Sequence, residues 1–310
     1  MAETSEAAEM SEPTATSGAT ATSGATATSG ATATSGATAT AETRPSRLAP
    51  YRAVLGSRIR AQQAYPLSFA TDVISAFLIG LVEFAEMWVI FHNVPQLGGL
   101  NLNAMMLLFG LSNTAFAVAD MLVGHADTLP TYIRMGKLDA FYLRPQPLLL
   151  QLMTSDIALR RVARIAVAAT VLGVGIARND IDWSAGNLAL FTLTLVSGIA
   201  IFAGLFICAA GVQFFLIDGS ELTNAFTYGG SYASMQPASV FPTPMKLVFG
   251  FLIPVAFTSY LPAIALLDLP GPALLPSALA WASPLAALWV WGLALLSWRV
   301  GTRHYQGGGG

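Results

Sequence analysis

The sequence predicts an all-helical, multi-pass membrane protein with six transmembrane helices and both termini on the cytoplasmic side. Two observations lead to this fold class. Hydrophobic residues make up 54% of the 310 residues and charged residues only 10%, whereas soluble domains carry about 25% charged residues. The apolar residues also gather in segments of roughly 20, the length at which a helix crosses a bilayer. This composition argues against a soluble globular enzyme.

The N-terminal 46 residues differ from the rest of the chain. Between Thr14 and Thr40 the chain repeats the hexapeptide ATATSG, which has no large apolar side chain and so cannot bury a core. Residues 1–46 are therefore predicted to be a disordered low-complexity tail, and residues 47–310 the membrane domain. The tail is acidic and has no apolar stretch, which argues against a signal peptide.

A short amphipathic pattern precedes the first apolar segment. Leu48, Tyr51, Leu55 and Ile59 share one helical face, and arginines flank them. The pattern favours an interfacial helix lying on the membrane surface. A basic linker beside the first span fits the same residues equally well.

Six segments are long and apolar enough to cross a bilayer. In chain order they are Leu67–Phe91, Asn103–Val123, Leu159–Ala177, Leu188–Val212, Leu247–Leu267 and Leu279–Val300. The third is the weakest, because Arg160, Arg161 and Arg164 crowd its start. Gln213–Met245, which holds charged residues and prolines, is predicted to be a cytosolic or interfacial excursion.

Prolines mark the region around the fifth segment. Pro254 and Pro262 interrupt its backbone hydrogen bonds, and the following loop, Asp268–Pro276, is rich in proline and glycine. Irregular backbone survives at membrane depth only where protein or water satisfies it. A short re-entrant element before the sixth span is compatible with this pattern.

The positions of the basic residues predict the orientation. In the six-span arrangement, all of the 15 Lys and Arg residues except Arg178 lie on one side. Because basic loops stay in the cytoplasm, that side is predicted to be cytoplasmic. An odd number of spans would break this distribution.

The loop between the second and third segments, Gly124–Met153, interleaves aromatic and basic residues. Gly136 is predicted to end one helical turn, Asp139 to cap the next, and Pro145 to redirect the chain. This pattern suits docking onto a partner protein. A basic loop that serves only to set the topology explains it equally well.

Three stretches of the chain form a set with a fixed order and spacing: Gly136-x-Leu138-Asp139-x-x-x-Leu143-Arg144-Pro145, Ile253-Pro254-Val255-Ala256-Phe257-x-x-Tyr260-Leu261-Pro262-Ala263 and Trp298-Arg299-x-Gly301-x-Arg303-x-Tyr305-x-Gly307. Together they resemble the cytosolic loop, the fifth span and the C-terminal signature of short ABC type-2 transporter permeases. The resemblance covers roughly Ser46–Gly307, and the tail has no counterpart in it.

This resemblance implies one half of a translocation pathway in a bacterial plasma membrane. Two permease subunits, identical or different, would associate with two separate ATPase subunits and export a substrate. The predicted ATPase-coupling residues are Arg134, Gly136, Lys137, Leu138, Asp139, Leu143, Arg144 and Pro145. The chain contains no GxxxxGK[ST] motif of its own, so ATP would be bound by another chain.

Acidic residues in the first span are the other candidate site. Asp72, Glu83 and Glu86 lie in or near it, and charges within a bilayer face protein or water. They are candidates for a pathway lining that favours cationic substrates. The structural alternative is that they pair with the arginines at the start of the third segment, or stay protonated.

Three polar residues of the second span carry weaker expectations. Asp120 is predicted to be a solvated charge at the end of the span. Asn113 and Thr114 lie in its middle and are expected to bridge helices rather than bind substrate.

Two other functions are alternatives to an ATP-driven exporter. An ion-gradient carrier would use the first-span acids as proton sites, but it would usually show an internal repeat, and none is visible. A membrane enzyme or scaffold is the other alternative, but no catalytic motif is present. No cofactor, metal site or nucleic-acid partner is predicted.

Overall fold

The computed structural model describes residues 56–57, 60, 66–155, 160–216 and 220–305. The predicted disordered tail and most of the predicted surface helix lie outside these residues. Those two predictions therefore stay predictions.

From residue 66 onward the described chain is helical. The α-helices in chain order are α1 (Pro66–Asn93), α2 (Leu102–Val123), α3 (Leu129–Arg134), α4 (Lys137–Tyr142), α5 (Leu148–Ser155), α6 (Arg160–Arg178), α7 (Ala185–Gln213), α8 (Ser220–Ser234), α9 (Thr243–Leu247), α10 (Tyr260–Leu266) and α11 (Ser283–His304). Short 3-10 segments follow α2 and precede α11, and a π-helical turn, Val248–Leu252, extends α9.

Among the described residues, four helices are long and apolar enough to cross a membrane: Val73–Asn93, Leu102–Arg134, Ala185–Gln213 and Ser277–His304. They correspond to the first, second, fourth and sixth predicted spans. A bent pair, Thr243–Leu252 with Val255–Leu266, brings the number to five if it counts as one span. The all-helical class is therefore confirmed, with four to five candidate spans.

Helix α2 lies at the centre of the body, and its closest neighbour is α6. At Gly110 an added Cβ atom would overlap the backbone of Leu172, and at Gly175 it would lie 2.6 Å from the backbone nitrogen of Leu107. Backbones approach this closely only where one helix offers glycine, as in other membrane helix pairs. The predicted third segment therefore forms a helix packed against α2, despite its arginines.

The body has two ends, which interhelical contacts define. At the first, called the Asn103 end, the Asn179 side chain donates to the Asn103 carbonyl oxygen over 2.8 Å. At the second, the Tyr305 end, the Tyr305 hydroxyl donates to Asp139 over 2.8 Å. Helices α2 and α6 run between these ends in opposite directions.

Helix α8 runs through the body, within the segment that was predicted to be an excursion. Near the Tyr305 end, Gln213 donates to Thr223 over 2.8 Å. Beyond the other end of α8, Ser239 donates to the carbonyl oxygen of Gly98, over 2.7 Å, in the loop between α1 and α2. These contacts place the ends of α8 toward opposite ends of the body, but α8 is not among the candidate spans, so the excursion prediction stays a prediction.

The polar sequence of α8 is compatible with this position because its hydroxyl groups are satisfied locally. Thr227 donates to the Thr223 carbonyl oxygen and Ser234 to that of Ser231. Both side chains are buried. Hydropathy counts such residues as polar, although a hydroxyl bonded to its own helix presents little unsatisfied polarity to its surroundings.

The predicted fifth span is not one straight helix. Its two arms meet at 71° around Pro254. One apolar cluster, at the Asn103 end, contains Leu266, at the end of the second arm, and Phe241, before the first arm, packs against it. Ile253 and Val255, near the bend, belong to a second cluster with Phe116. The pair is either one broken span or a re-entrant hairpin.

Candidate functional site

Helices α3, α4 and α5 form a cap over the Tyr305 end. Leu138, from the predicted coupling motif, is fully buried there. It belongs to an apolar cluster with Leu129, Leu152 and Ala210 of α7. A motif residue therefore anchors the cap to a long helix of the body.

Gly136 makes the turn between α3 and α4. Its φ angle is 63°, in the left-handed region that glycine enters without the steric cost borne by other residues. Helix α3 ends at Arg134 and α4 begins at Lys137, so two residues connect them. The predicted helix end at Gly136 is confirmed.

Asp139 has a different role from the predicted helix cap. Gly136 is the N-cap of α4 and contributes no side chain, so Asp139 is already the third residue of the helix. Its carboxylate instead accepts the hydrogen bond from Tyr305, one residue after α11 ends. The cap prediction was wrong because it placed the start of α4 too late.

Tyr305 is a site residue that the loop motif alone does not reveal. Its ring stacks on that of Tyr142, with centroids 5.6 Å apart and planes 5° apart. Partial burial and the neighbouring Asp139 carboxylate raise the pKa of the Tyr305 hydroxyl to about 12. Tyr305 therefore stays protonated and acts as the donor. Its place in the C-terminal signature was the only sequence signal for it.

The remaining motif residues form the outer surface of the cap. Leu143 is 87% exposed. The guanidinium carbon of Arg144 lies 5.6 Å from the centre of the Phe141 ring. Arg134, Lys137 and Pro145 are also exposed. We call these five residues, Arg134, Lys137, Leu143, Arg144 and Pro145, the cap surface.

The acids of α1 are divided among different environments. Glu83 is only 7% exposed and forms an ion pair with Arg164 at 3.0 Å. The Arg164 guanidinium also lies over the ring of Phe116, 5.1 Å from its centre. Glu83 thus makes the pairing that the structural alternative expected. Glu86 is exposed, and the side chain of Asp72 lies outside the described part of the chain.

A second buried ion pair joins α6 to α2. Asp120 is 5% exposed, and its carboxylate lies 3.1 Å from Arg161. Arg161 also donates to the Asp120 carbonyl oxygen over 2.7 Å. Asp120 is therefore not a solvated end charge, as predicted, because α6 packs over it. Two of the arginines that weakened the third predicted span are neutralised by acids of other helices.

The polar centre of α2 is bonded differently from the prediction. Ser112, not Asn113, bridges to α8 by contacting the Ser234 hydroxyl. Asn113 is 3% exposed, and neither its amide nitrogen nor its amide oxygen has a hydrogen-bond partner among the described residues; the same holds for the buried Thr114 hydroxyl. Buried polar groups normally have a partner, so both residues mark a place that a water or ligand would satisfy.

A cleft opens between α1, α2 and α8 toward the Asn103 end. Its lining includes Glu83, Glu86, Phe91, Phe109, Tyr232 and Gln236. The cleft contains both described acids of the predicted pathway set. Tyr232, which is exposed, brings α8 into a site that the sequence had assigned to the first span alone.

This fold, with four to five candidate spans and charged helices packed inside it, defines a multi-pass membrane protein. The model of the family described as ABC-2 family transporter protein matches residues 77–309, and the chain belongs to that family. The match covers the cap, the ion pairs, α8 and the C-terminal signature, so the family resemblance is confirmed. Comparison with curated proteins and with solved structures gives no match.

Proposed function

We propose that the chain is the membrane subunit of an ATP-driven exporter, in which it forms half of the translocation pathway and a separate ATPase subunit supplies the energy. The observation that carries this proposal is the cap. Its exposed side is basic and apolar, and its buried side is fixed to two long helices. Family membership makes an ABC ATPase the expected partner.

The contacts of the cap would transmit a movement of α3 and α4 to the long helices α7 and α11. Leu138 packs with Ala210 of α7, and Asp139 and Tyr142 hold Tyr305 at the end of α11. The buried Gln151 side chain donates to the carbonyl oxygens of Phe141 and Gln146, over 3.1 and 2.8 Å. These contacts form a continuous packed path of the kind that carries coupling between sites.

The proposed topology retains six crossings but changes the fifth. The crossings are α1, α2, α6, α7, α8 and α11, and the bent pair around Pro254 is a re-entrant hairpin. The Tyr305 end then faces the cytoplasm with the basic residues of the cap, whereas Arg178 and Lys246 lie on the side of the Asn103 end. Both termini stay cytoplasmic, in a plasma membrane of bacterial type.

Helix α8 supplies the proposed pathway lining. Its uncovered side carries Glu221, Ala225, Phe226 and Tyr232, a mixture of polar and aromatic groups that lipid alone would not favour. A second permease subunit, of the same or a different sequence, would enclose this side together with the cleft. The Glu83–Arg164 pair holds α1 to α6 and has a structural role.

An ion-gradient carrier fits the molecule less well. Such a carrier needs a carboxylate that exchanges protons during transport. Glu83, the buried acid among the described side chains of α1, is paired with Arg164.

The test begins by purifying the full chain with its partners and identifying the proteins that accompany it. We expect an ABC ATPase. Leu143→Asp and Arg144→Glu should each lower the ATPase activity of the reconstituted complex, because they change the cap surface without touching Leu138. Arg178→Glu, an equal charge change at the opposite end, is the matched control.

Two results would contradict the proposal. One is purification without any ABC ATPase under conditions that preserve membrane complexes. The other is wild-type ATPase activity and complex recovery in both cap variants, which would leave the loop as a topology signal only.

A further inference from the structure

A groove with a volume of about 650 Å³ runs between α1 and α6. This volume lies in the range of sites that hold a whole small molecule. We propose that the groove binds one acyl chain of a membrane phospholipid, held as a ligand rather than exchanged freely with the bilayer. The proposal depends on the membrane position of α1, a candidate span, and not on the export function.

The groove has the length of an acyl chain. It extends from Val73 to Phe84 on α1 and from Ala163 to Val174 on α6, and on each helix its lining residues recur every three or four positions. Both stretches rise about 16 Å, roughly half the thickness of the hydrocarbon core of a bilayer. One chain of one leaflet therefore matches the groove in length.

The groove is too narrow for another helix. Gly80 and Val167 both line it, and an added Cβ atom at Gly80 would lie 3.0 Å from the Val167 side chain, so α1 and α6 touch along its floor. Its volume divided by its length gives a mean cross-section of about 40 Å², about half that of an α-helix with its side chains, which is 10–12 Å across. A helix of a second copy does not fit, whereas an extended hydrocarbon chain does.

The lining also leaves water without partners. Among the described lining residues, Thr170 alone has an oxygen or nitrogen atom in its side chain. That hydroxyl donates to the Ala166 carbonyl oxygen of its own helix over 2.7 Å. Because a buried water needs two to four polar partners, the groove favours hydrocarbon.

The groove is continuous with the apolar surface that α1 presents to the bilayer. Ile74, Phe77 and Leu81 line the groove and are exposed. Ala166 and Thr170 are exposed on the α6 side. A chain can therefore enter sideways from the lipid.

The two ends of the groove differ. At the Val174 end, Met106 of α2 forms a third wall, because an added Cβ atom at Gly175 would lie 2.8 Å from the Met106 carbonyl carbon. At the other end, Arg160 is the first residue of α6, one turn before Ala163. The phosphate of the lipid would lie at this basic end, where charges of opposite sign attract.

The test measures phospholipid that stays with the full chain. The chain is purified in a detergent with a rigid steroid body, so that no alkyl chain of the detergent competes, and retained lipid is quantified by mass spectrometry. Wild type should retain roughly one phospholipid per chain. After delipidation, added phospholipid should raise the Tm, because a ligand of the folded state stabilises it.

Variants then locate the site. Ala166→Phe and Thr170→Leu each place a larger side chain in the groove, so the retained phospholipid should fall at least about fivefold. Added phospholipid should no longer raise the Tm of either variant. Ala169→Phe is the matched control, because Ala169 is an exposed alanine of the same helix outside the groove, and it should retain lipid as wild type does.

Wild-type chain that retains no phospholipid would overturn the inference, and this result needs no variant. Equal retention in Ala166→Phe and Ala169→Phe would also overturn it, because the lipid would then lie elsewhere on the surface. Loss of a dimer in Ala166→Phe at unchanged lipid content would assign the groove to a second copy instead. None of these measurements involves the ATPase, so the failure of this inference would leave the proposed function standing.

Discussion

Helices α6 and α8 are the two polar helices of the body, and they enter it by different means. Two arginines of helix α6 are paired with acids of other helices: Arg161 with Asp120 and Arg164 with Glu83. Helix α8 brings hydroxyl groups that bond mainly to its own backbone. The charges of α6 are neutralised by residues distant in the sequence, whereas the hydroxyl groups of α8 find most of their hydrogen-bond acceptors within the same helix.

This difference predicts unequal consequences of substitution. Removing one member of a buried ion pair strands a charge, which costs far more than removing a neutral hydrogen bond. The sequence predicts the segment of α6 as a weak span, and Gln213–Met245, which contains α8, as a cytosolic or interfacial excursion.

The largest expected effect is all-or-none and tests whether α8 crosses the membrane at all. In a Cys208→Ser background, Asp182→Cys, after α6, and Val240→Cys, after α8, should both react with an impermeant thiol reagent in intact cells. Thr131→Cys, in the cap, should be protected. If α8 does not cross the membrane, Val240→Cys should be protected from the reagent. That result would contradict the proposed crossing of α8.

The next effect tests the ion-pair solution of α6. Arg164→Met should destabilise the protein by about 3–5 kcal/mol, because it leaves the Glu83 carboxylate buried without a partner. Adding Glu83→Gln to that variant should recover most of the loss. Folded protein remaining after heating is measured by size-exclusion chromatography, with Arg178→Met at the exposed end of α6 as control. If Arg164→Met alone is as stable as wild type, the ion pair does not contribute to stability in this way.

Removing a hydrogen bond to a carboxylate should have an effect of intermediate size. Tyr305 donates such a bond to Asp139. Tyr305→Phe keeps the ring against Tyr142 but removes the bond to Asp139, which should lower the stability of the cap by about 1 kcal/mol. ATPase activity of the complex should fall while the chain still inserts. Unchanged activity would show that the cap does not need this link.

The raised pKa of Tyr305 also sets the pH dependence of that link. Because folding favours the neutral hydroxyl, the stabilisation is present below the ordinary tyrosine pKa of about 10 and is lost as the pH rises through about 12. The difference between wild type and Tyr305→Phe should therefore be constant across neutral pH. A difference that varies there would assign the effect to another group.

The smallest effect tests the hydroxyl solution of α8. Thr227→Val keeps the side-chain shape and removes a hydroxyl bonded to its own helix, so stability should change by less than about 1 kcal/mol. Thermal challenge as for Arg164→Met measures it. A loss as large as that of Arg164→Met would erase the distinction between the two helices.

The sequence by itself determined the helices whose apolar runs are long. The predicted Asn103–Val123 and Leu188–Val212 agree closely with α2 and α7, because in lipid a backbone must satisfy its own hydrogen bonds and an apolar run of this length does so as a helix. The turn at Gly136 could also be predicted from the local sequence, because a single glycine is enough to place a residue in the left-handed region.

The positions and partners of the polar segments were decided only by the tertiary structure. Whether Arg164 ends a span or enters the body depends on Glu83, far away in the sequence, and whether Asp139 caps a helix depends on Tyr305 at the end of the chain. The path of α8 and the bend at Pro254 likewise follow from what packs beside them. Local patterns record polarity, but the free energy of burying a polar group depends on its partner, which folding alone brings into contact.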